Sequence, residues 1–185
     1  ADLNTAESDG ATPAYIASQS GHAEVVRLLG ERGADLNAAR ADGATRAVSG
    51  SFNGTMFAGP RPTRNGATPA IIASQHGHVA VVQELGKLGA DLNGAMVRGE
   101  TPAFIASQSG HAEVVRLLGN LGADVNIARK SGATPAWIAS QNGHLEVVRH
   151  LCGEAGASVD LATEEGTTPL FIASGKGHLE VVRHL

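Results

Sequence analysis

The feature of this sequence that most constrains its fold is the recurrence of the pair Thr-Pro about every 33 residues. The pair begins at five threonines: Thr12, Thr68, Thr101, Thr134 and Thr168. A lone Thr45, followed by Arg46, falls between the first two, so that the successive spacings are 33, 23, 33, 33 and 34 residues. This period predicts a repeat architecture, in which each unit buries its apolar face only by stacking on its neighbours.

Each unit has the sequence pattern of two short helices. Thr followed by Pro predicts a helix start, because the Thr side chain can accept a bond from a first-turn amide and Pro suits the first helical position. A glycine ends the first helix, at Gly21, Gly77, Gly110, Gly143 and Gly177. A second amphipathic stretch follows, as in residues 24–29, and carries Glu and Arg three residues apart. We expect ion pairs at Glu24–Arg27, Glu113–Arg116, Glu146–Arg149 and Glu180–Arg183.

These units resemble the ankyrin repeat. The shared motifs are Gly-x-Thr-Pro at 10–13, 66–69, 99–102, 132–135 and 166–169, Gly-His at 21–22, 77–78, 110–111, 143–144 and 177–178, and Gly-Ala-Asp-(Leu/Val)-Asn at 33–37, 89–93 and 122–126. The resemblance covers almost the whole chain apart from roughly 46–64. It implies an all-α ankyrin-repeat solenoid of stacked helix-turn-helix units with projecting loops, at about 33 residues per repeat.

The sequence departs from the family pattern at two places in each repeat. The family usually has a histidine after Thr-Pro-x that ties neighbouring loops, whereas here the position is a bulky apolar residue: Tyr15, Ile71, Phe104, Trp137 or Phe171. We therefore expect the loops to be held more by packing than by polar bonds. Late in the second helix, glycine replaces the family leucine at Gly30, Gly86 and Gly119. Because glycine is a poor helix former, these helices are expected to end early.

The repeats divide the chain into a single ankyrin-repeat domain, 1–185. We assign residues 1–8 to the tail of a preceding repeat, 9–41, 65–97, 98–130 and 131–164 to repeats, 42–64 to a truncated or degenerate repeat, and 165–185 to an incomplete repeat. The block 65–164 is expected to be the stable core, and the first repeat the most labile. Neither end shows a polar capping repeat, so we expect either a fragment of a longer array or an array assembled without dedicated caps.

The segment 42–64 is ten residues short of a full repeat, and Pro60 and Pro62 exclude a normal second helix there. Three interpretations remain open. It is a specialised loop that presents Phe52, Met56 and Phe57 to a partner, a damaged repeat that spans the gap irregularly, or the product of a reading-frame slip.

Several classes of function are disfavoured by the sequence. The net charge of −4 argues against nucleic-acid binding, and no apolar run is long enough to span a membrane. Five of the eight histidines occupy one repeated position, where neighbouring helices are too far apart to share a metal ion. Cys152, the only cysteine, lies where the repeat at 131–164 is one residue longer and is expected to be a buried, inert thiol. We therefore predict no catalytic residues, no metal and no cofactor, in a monomeric, intracellular, cytoplasmic protein.

The resemblance implies that the chain binds another protein, of unknown identity, through its loop tips and the concave face of its first helices. Candidate contact residues share an exposed, variable position at these places: Arg40, Asp42, Gln75, His76, Met96, Val97, Arg98, Glu100, Gln108, Arg129, Lys130, Gln141, Asn142 and Glu164. Met96 and Val97 are either apolar anchors for the partner or packed on the adjacent loop. The alternative function is a passive spacer, or a fragment of a larger ankyrin-containing protein with no partner of its own.

Overall fold

The structure, a computed structural model, describes residues 2–40, 50–52, 55–57 and 66–185, with the backbone alone for the two short middle ranges. Ten α-helices in these ranges form five pairs: α1 (Pro13–Gln19) with α2 (Ala23–Glu31), α3 (Pro69–His76) with α4 (Val79–Lys87), α5 (Pro102–Ser109) with α6 (Ala112–Asn120), α7 (Pro135–Asn142) with α8 (Leu145–Arg149), and α9 (Pro169–Lys176) with α10 (Leu179–His184). A π-helical segment, His150–Glu154, continues α8. Strands β1 (Gly50–Phe52) and β2 (Thr55–Phe57) pair antiparallel. The predicted stack of helix pairs is confirmed.

The first helix of each pair begins where the Thr-Pro pattern predicts. The Thr101 hydroxyl accepts a hydrogen bond from the Phe104 amide at 3.2 Å, and Pro102 is the first helical residue. The same cap forms at the other four threonines. The later first helices end at glycines with positive φ, such as Gly143 at 75°. Local sequence therefore determines both ends of these helices.

The expectation that the second helices end early at glycine is wrong. Helices α2, α4 and α6 each continue one residue beyond Gly30, Gly86 and Gly119. A Cβ atom at Gly30 would lie 2.7 Å from Leu88 Cδ1, and one at Gly86 would lie 2.6 Å from Leu121 Cδ1. Glycine at these two positions thus makes room for a leucine of the following repeat and does not terminate the helix.

The stack continues directly from the first repeat to the repeat at 65–97, because α1 packs on α3 and α2 packs on α4. His78 Nε2 donates to the Gln19 carbonyl at 3.0 Å, and the Asp91 amide donates to Asn37 Oδ1 at 2.7 Å. The same two bonds join the next pair of repeats, from His111 to Gln75 and from Asp124 to Asn93. The short segment between residues 41 and 65 therefore does not interrupt the spacing of the layers. Most of this segment lies outside the described residues, so its three interpretations stay predictions.

The core is a continuous seam of small and branched apolar side chains between the two layers of helices. Val114, Val115 and Leu118 of α6 are fully buried, while the first helices contribute alanines such as Ala103 and Ala106. Alanine at these positions allows the helices of successive repeats to approach closely. The low aromatic content of 3% is consistent with this thin core.

Hydrogen exchange should be slower in the middle of the stack than in the first repeat. Helix α5 is packed between α3 and α7, whereas α1 packs on α3 alone among the other first helices. Since the stability of a repeat array depends on contacts between neighbours, we expect amides of α1 to exchange about tenfold or more faster than those of α5. Mass-spectrometric or NMR exchange measures this difference, and equal protection of the two helices would contradict it.

Candidate partner-binding surface

The loop tips are joined to one another by main-chain hydrogen bonds. The Lys130 amide donates to the Arg98 carbonyl at 2.9 Å, and the Glu164 amide donates to the Ser131 carbonyl at 3.1 Å. The Arg40 amide donates to the Ala67 carbonyl at 2.9 Å, which closes a single tip as the bond from the Arg129 amide to the Ala133 carbonyl does. These bonds depend on the backbone and not on the side chains. The tips therefore form an ordered row on which side chains can vary.

One position in three of the tips covers the bulky residue of a first helix. The Arg40 guanidinium lies 5.5 Å from the centroid of the Tyr15 ring, and the Arg129 guanidinium lies 5.6 Å from that of Phe104. Met96 occupies the corresponding position and packs against the buried cluster that contains Ile71. Of the two alternatives for Met96, packing is the one observed. Packing and cation–π contacts hold these loops together with the main-chain hydrogen bonds described above, and the sequence did not predict the cation–π contacts.

The two arginines at this position make further contacts within the protein. Arg40 forms an ion pair with Asp9 at 2.6 Å, and its side chain is only 19% exposed. Arg129 Nε donates to Ser131 Oγ at 2.8 Å. A signal for their role was present in the sequence, because each follows its aromatic residue by the same number of positions.

The neighbouring tip residues point to solvent. Val97 is 61% exposed, and Arg98, Lys130 and Glu164 are also exposed. Glu100 is half-buried, and its carbonyl accepts a bond from the Met96 amide at 2.9 Å, which closes that tip. We call the four exposed residues the rim. It combines one apolar side chain with charges of both signs, which suits a protein partner better than an anionic polymer.

The ends of the first helices present a second group of predicted residues. His76, Gln108 and Asn142 are exposed, whereas Gln75 and Gln141 are half-buried. The main-chain carbonyls of Gln75, Gln108 and Gln141 help to join the repeats. They accept hydrogen bonds from His111, His144 and His178 at 3.1, 3.1 and 2.9 Å.

Two further contacts lie at the same ends. Asn142 Nδ2 also donates to the Gln108 carbonyl, at 2.9 Å, and the His76 ring stacks on that of His78 with centroids 5.8 Å apart. Asp42, the remaining candidate, lies outside the described residues.

The repeated histidines have a structural role, as the sequence reasoning expected. Each of the four that bond to a preceding carbonyl must carry its proton on Nε2, since a carbonyl can only accept. Within the described ranges, no group of three or more His, Cys, Asp or Glu side chains is placed to hold a metal ion. Burial raises the pKa of the half-buried Cys152 thiol, which lowers its thiolate fraction and hence its reactivity. No described helix has the length and apolar character needed to cross a membrane.

Comparison with known proteins identifies the class of this fold. Residues 9–41 match the ankyrin repeat, and residues 47–129 and 121–185 match models of three ankyrin repeats in tandem. The chain therefore belongs to the ankyrin-repeat family. Repeats of this family are typically non-catalytic modules for protein–protein interaction. No curated protein matches the chain with significant similarity.

Proposed function

We propose that this chain is a non-catalytic scaffold that binds a partner protein through the rim and the exposed ends of its first helices. The observation that supports this proposal is that different residues of a tip hold its conformation and face the solvent. Backbone bonds and one covering residue hold the tip, while Val97, Arg98, Lys130 and Glu164 remain exposed. Recognition residues on ordered loops bind without a large ordering cost.

The first-helix ends extend this surface. Gln108 and Asn142 belong to successive repeats, and the Asn142 side chain donates to the main-chain carbonyl of Gln108 at 2.9 Å, so the two residues are neighbours on this surface. His76 lies at the matching end of α3. Together with the rim they provide amide, imidazole, charged and apolar groups over several repeats, and this variety favours a folded protein partner over a small molecule.

The test is affinity capture from source-cell lysate with a rim variant, Val97→Ser, Arg98→Glu and Lys130→Glu. All three residues are exposed, so the variant should fold normally and lose at least about tenfold of its affinity for the partner. Met96 and Arg129 are left unchanged because both pack on the protein itself.

The matched control is Val25→Ser, Arg32→Glu and Arg149→Glu, which makes the same changes at exposed positions in and after the second helices. It should retain the partner. Loss of the partner from both variants would show that net charge, and not the rim, determines binding. Capture of no partner by the natural chain would favour a passive spacer.

A further inference from the structure

The junction between the repeats at 98–130 and 131–164 lacks a side chain that fills the earlier junctions. Leu88 covers Gly30 of the preceding repeat, and Leu121 covers Gly86, at the close approaches described above. A Cβ atom at Gly119 would instead meet only Val125 Cγ1, at 3.8 Å. The space beside Gly119 that a leucine fills elsewhere is therefore open.

Ala155 occupies the position of the missing leucine. Its backbone angles, φ −86° and ψ −4°, match those of Leu121, at −83° and 2°. Both residues precede a glycine with positive φ, Gly156 in one case and Gly122 in the other. The extra residue of the repeat at 131–164 is accommodated by the π-helical segment His150–Glu154, as expected for a one-residue insertion in a helix. The methyl group of Ala155 is too short to fill the space.

The result is a cleft of about 330 Å³, at the small end of the range of ligand-binding pockets. Its lining includes the apolar groups of Ala123, Val125 and Ala155, and the charged residues Arg116 and Glu154. None of these residues belongs to the rim or to the ends of the first helices. The cleft is thus a separate surface, formed by the second helices and the turns that follow them.

The polar side chains of the cleft are arranged differently from their counterparts in other repeats. Arg149 and Arg183 pair with the glutamate three residues earlier, as predicted, at 3.1 and 2.9 Å. The predicted pair Glu113–Arg116 does not form, and Arg116 Nε lies 4.0 Å from Glu154 Oε2 instead. Glu154 belongs to the π-helical segment, which has no equivalent in the earlier described repeats.

His150 lies in the wall of the cleft with its side chain only 8% exposed. Its Nδ1 is 2.8 Å from Glu154 Oε2, so in the neutral ring Nδ1–H donates and Nε2 is an acceptor. That Nε2 has no hydrogen-bond partner among the described residues. Five hydroxyl groups elsewhere in the described residues, those of Tyr15, Ser18, Ser74, Ser107 and Ser140, are also buried without a partner, so the open space beside Gly119 is the feature that distinguishes this junction.

We propose that this cleft is a docking site for a leucine-sized aliphatic side chain presented by a partner protein. The occupant is identified by the two earlier junctions, where the chain's own leucines fill the equivalent space. Arg116 and Glu154 lie beside it as charges that can contact the main chain or polar side chains of the docked segment. The site gives the scaffold a second contact that does not depend on the rim.

The test uses the whole chain and N-acetyl-leucinamide as the probe, followed by the amide NMR signals of Gly119 and Ala155. We expect saturable shifts of these signals, and shifts about tenfold smaller or less with N-acetyl-glycinamide at the same concentration, because it lacks the aliphatic group. Equal responses to the two amides, or none to leucinamide, would overturn the proposal. This comparison needs no substitution.

A pair of variants sharpens the test. Ala155→Leu should fill the cleft with the chain's own side chain and weaken leucinamide binding about tenfold or more, whereas Ala95→Leu, at an exposed position, should leave it unchanged. Undiminished binding by a folded Ala155→Leu chain would also overturn the proposal. The rim variant should bind leucinamide normally, so failure of this site and failure of the proposed function are distinguishable.

Discussion

Replacing Phe104 with alanine should destabilise the protein by about 3–5 kcal/mol, a large fraction of the total stability of a domain. The Phe104 ring is fully buried, in a cluster with Ala133, Trp137 and Ile138 of the next repeat. Its removal leaves a cavity between two repeats, whose neighbours in the stack prevent them from moving together to close it. It also removes the ring over which the Arg129 guanidinium lies, so the tip that carries Lys130 should loosen. Urea denaturation followed by circular dichroism measures the free energy of unfolding.

Phe171→Ala is the matched control for this substitution. Phe171 holds the same place after Thr-Pro in its repeat but is 64% exposed, because no layer covers it in the described structure. Its replacement should change the free energy of unfolding by about 1 kcal/mol or less. Similar losses for the two variants would mean that intrinsic helix preference, and not packing between layers, explains the effect of Phe104.

The features that the sequence predicted well are local or periodic. Helix starts follow from Thr-Pro, because capping involves only residues three apart, as at Thr101 and Phe104. The role of the repeated histidines followed from their spacing, which excludes a shared metal site. The same periodicity predicted the stack of helix pairs, since a short amphipathic helix is stable only against its neighbours.

The features that the sequence missed depend on contacts between repeats. Gly86 is a poor helix former by local preference, yet it is helical. The side chain of Leu121, 35 positions later, packs where a Cβ atom at residue 86 would lie. The sequence did not show whether the Met96 side chain packs within the protein or is available to a partner. Its contact with the cluster around Ile71 distinguishes the two. The extra residue of the repeat at 131–164 was visible, but the cleft that Ala155 leaves open beside Gly119 was not. These errors have a common origin, since one sequence read along the chain does not show which side chains oppose each other across a layer.

Gly143→Ala should lower the free energy of unfolding by about 2–5 kcal/mol, nearly as much as Phe104→Ala, for two separable reasons. Gly143 has φ 75°, a left-handed conformation that costs an L-residue about 1–2 kcal/mol. A Cβ atom there would also lie 2.6 Å from Nδ1 of His178, whose Nε2 donates to the Gln141 carbonyl. The ring would have to move, and overpacking of this kind adds about 1–3 kcal/mol.

Gly177→Ala separates the two contributions. Gly177 has φ 76°, almost the same conformation, but no atom lies within 4 Å of the position that its Cβ would take. Gly177→Ala should therefore lower the free energy of unfolding only by the cost of the left-handed conformation, about 1–2 kcal/mol. The difference between the two variants in urea denaturation measures the contact between the glycine of one repeat and the histidine of the next. If the two losses are equal, the histidine ring yields without cost, and the Gly-His pair recurs for its backbone conformation alone.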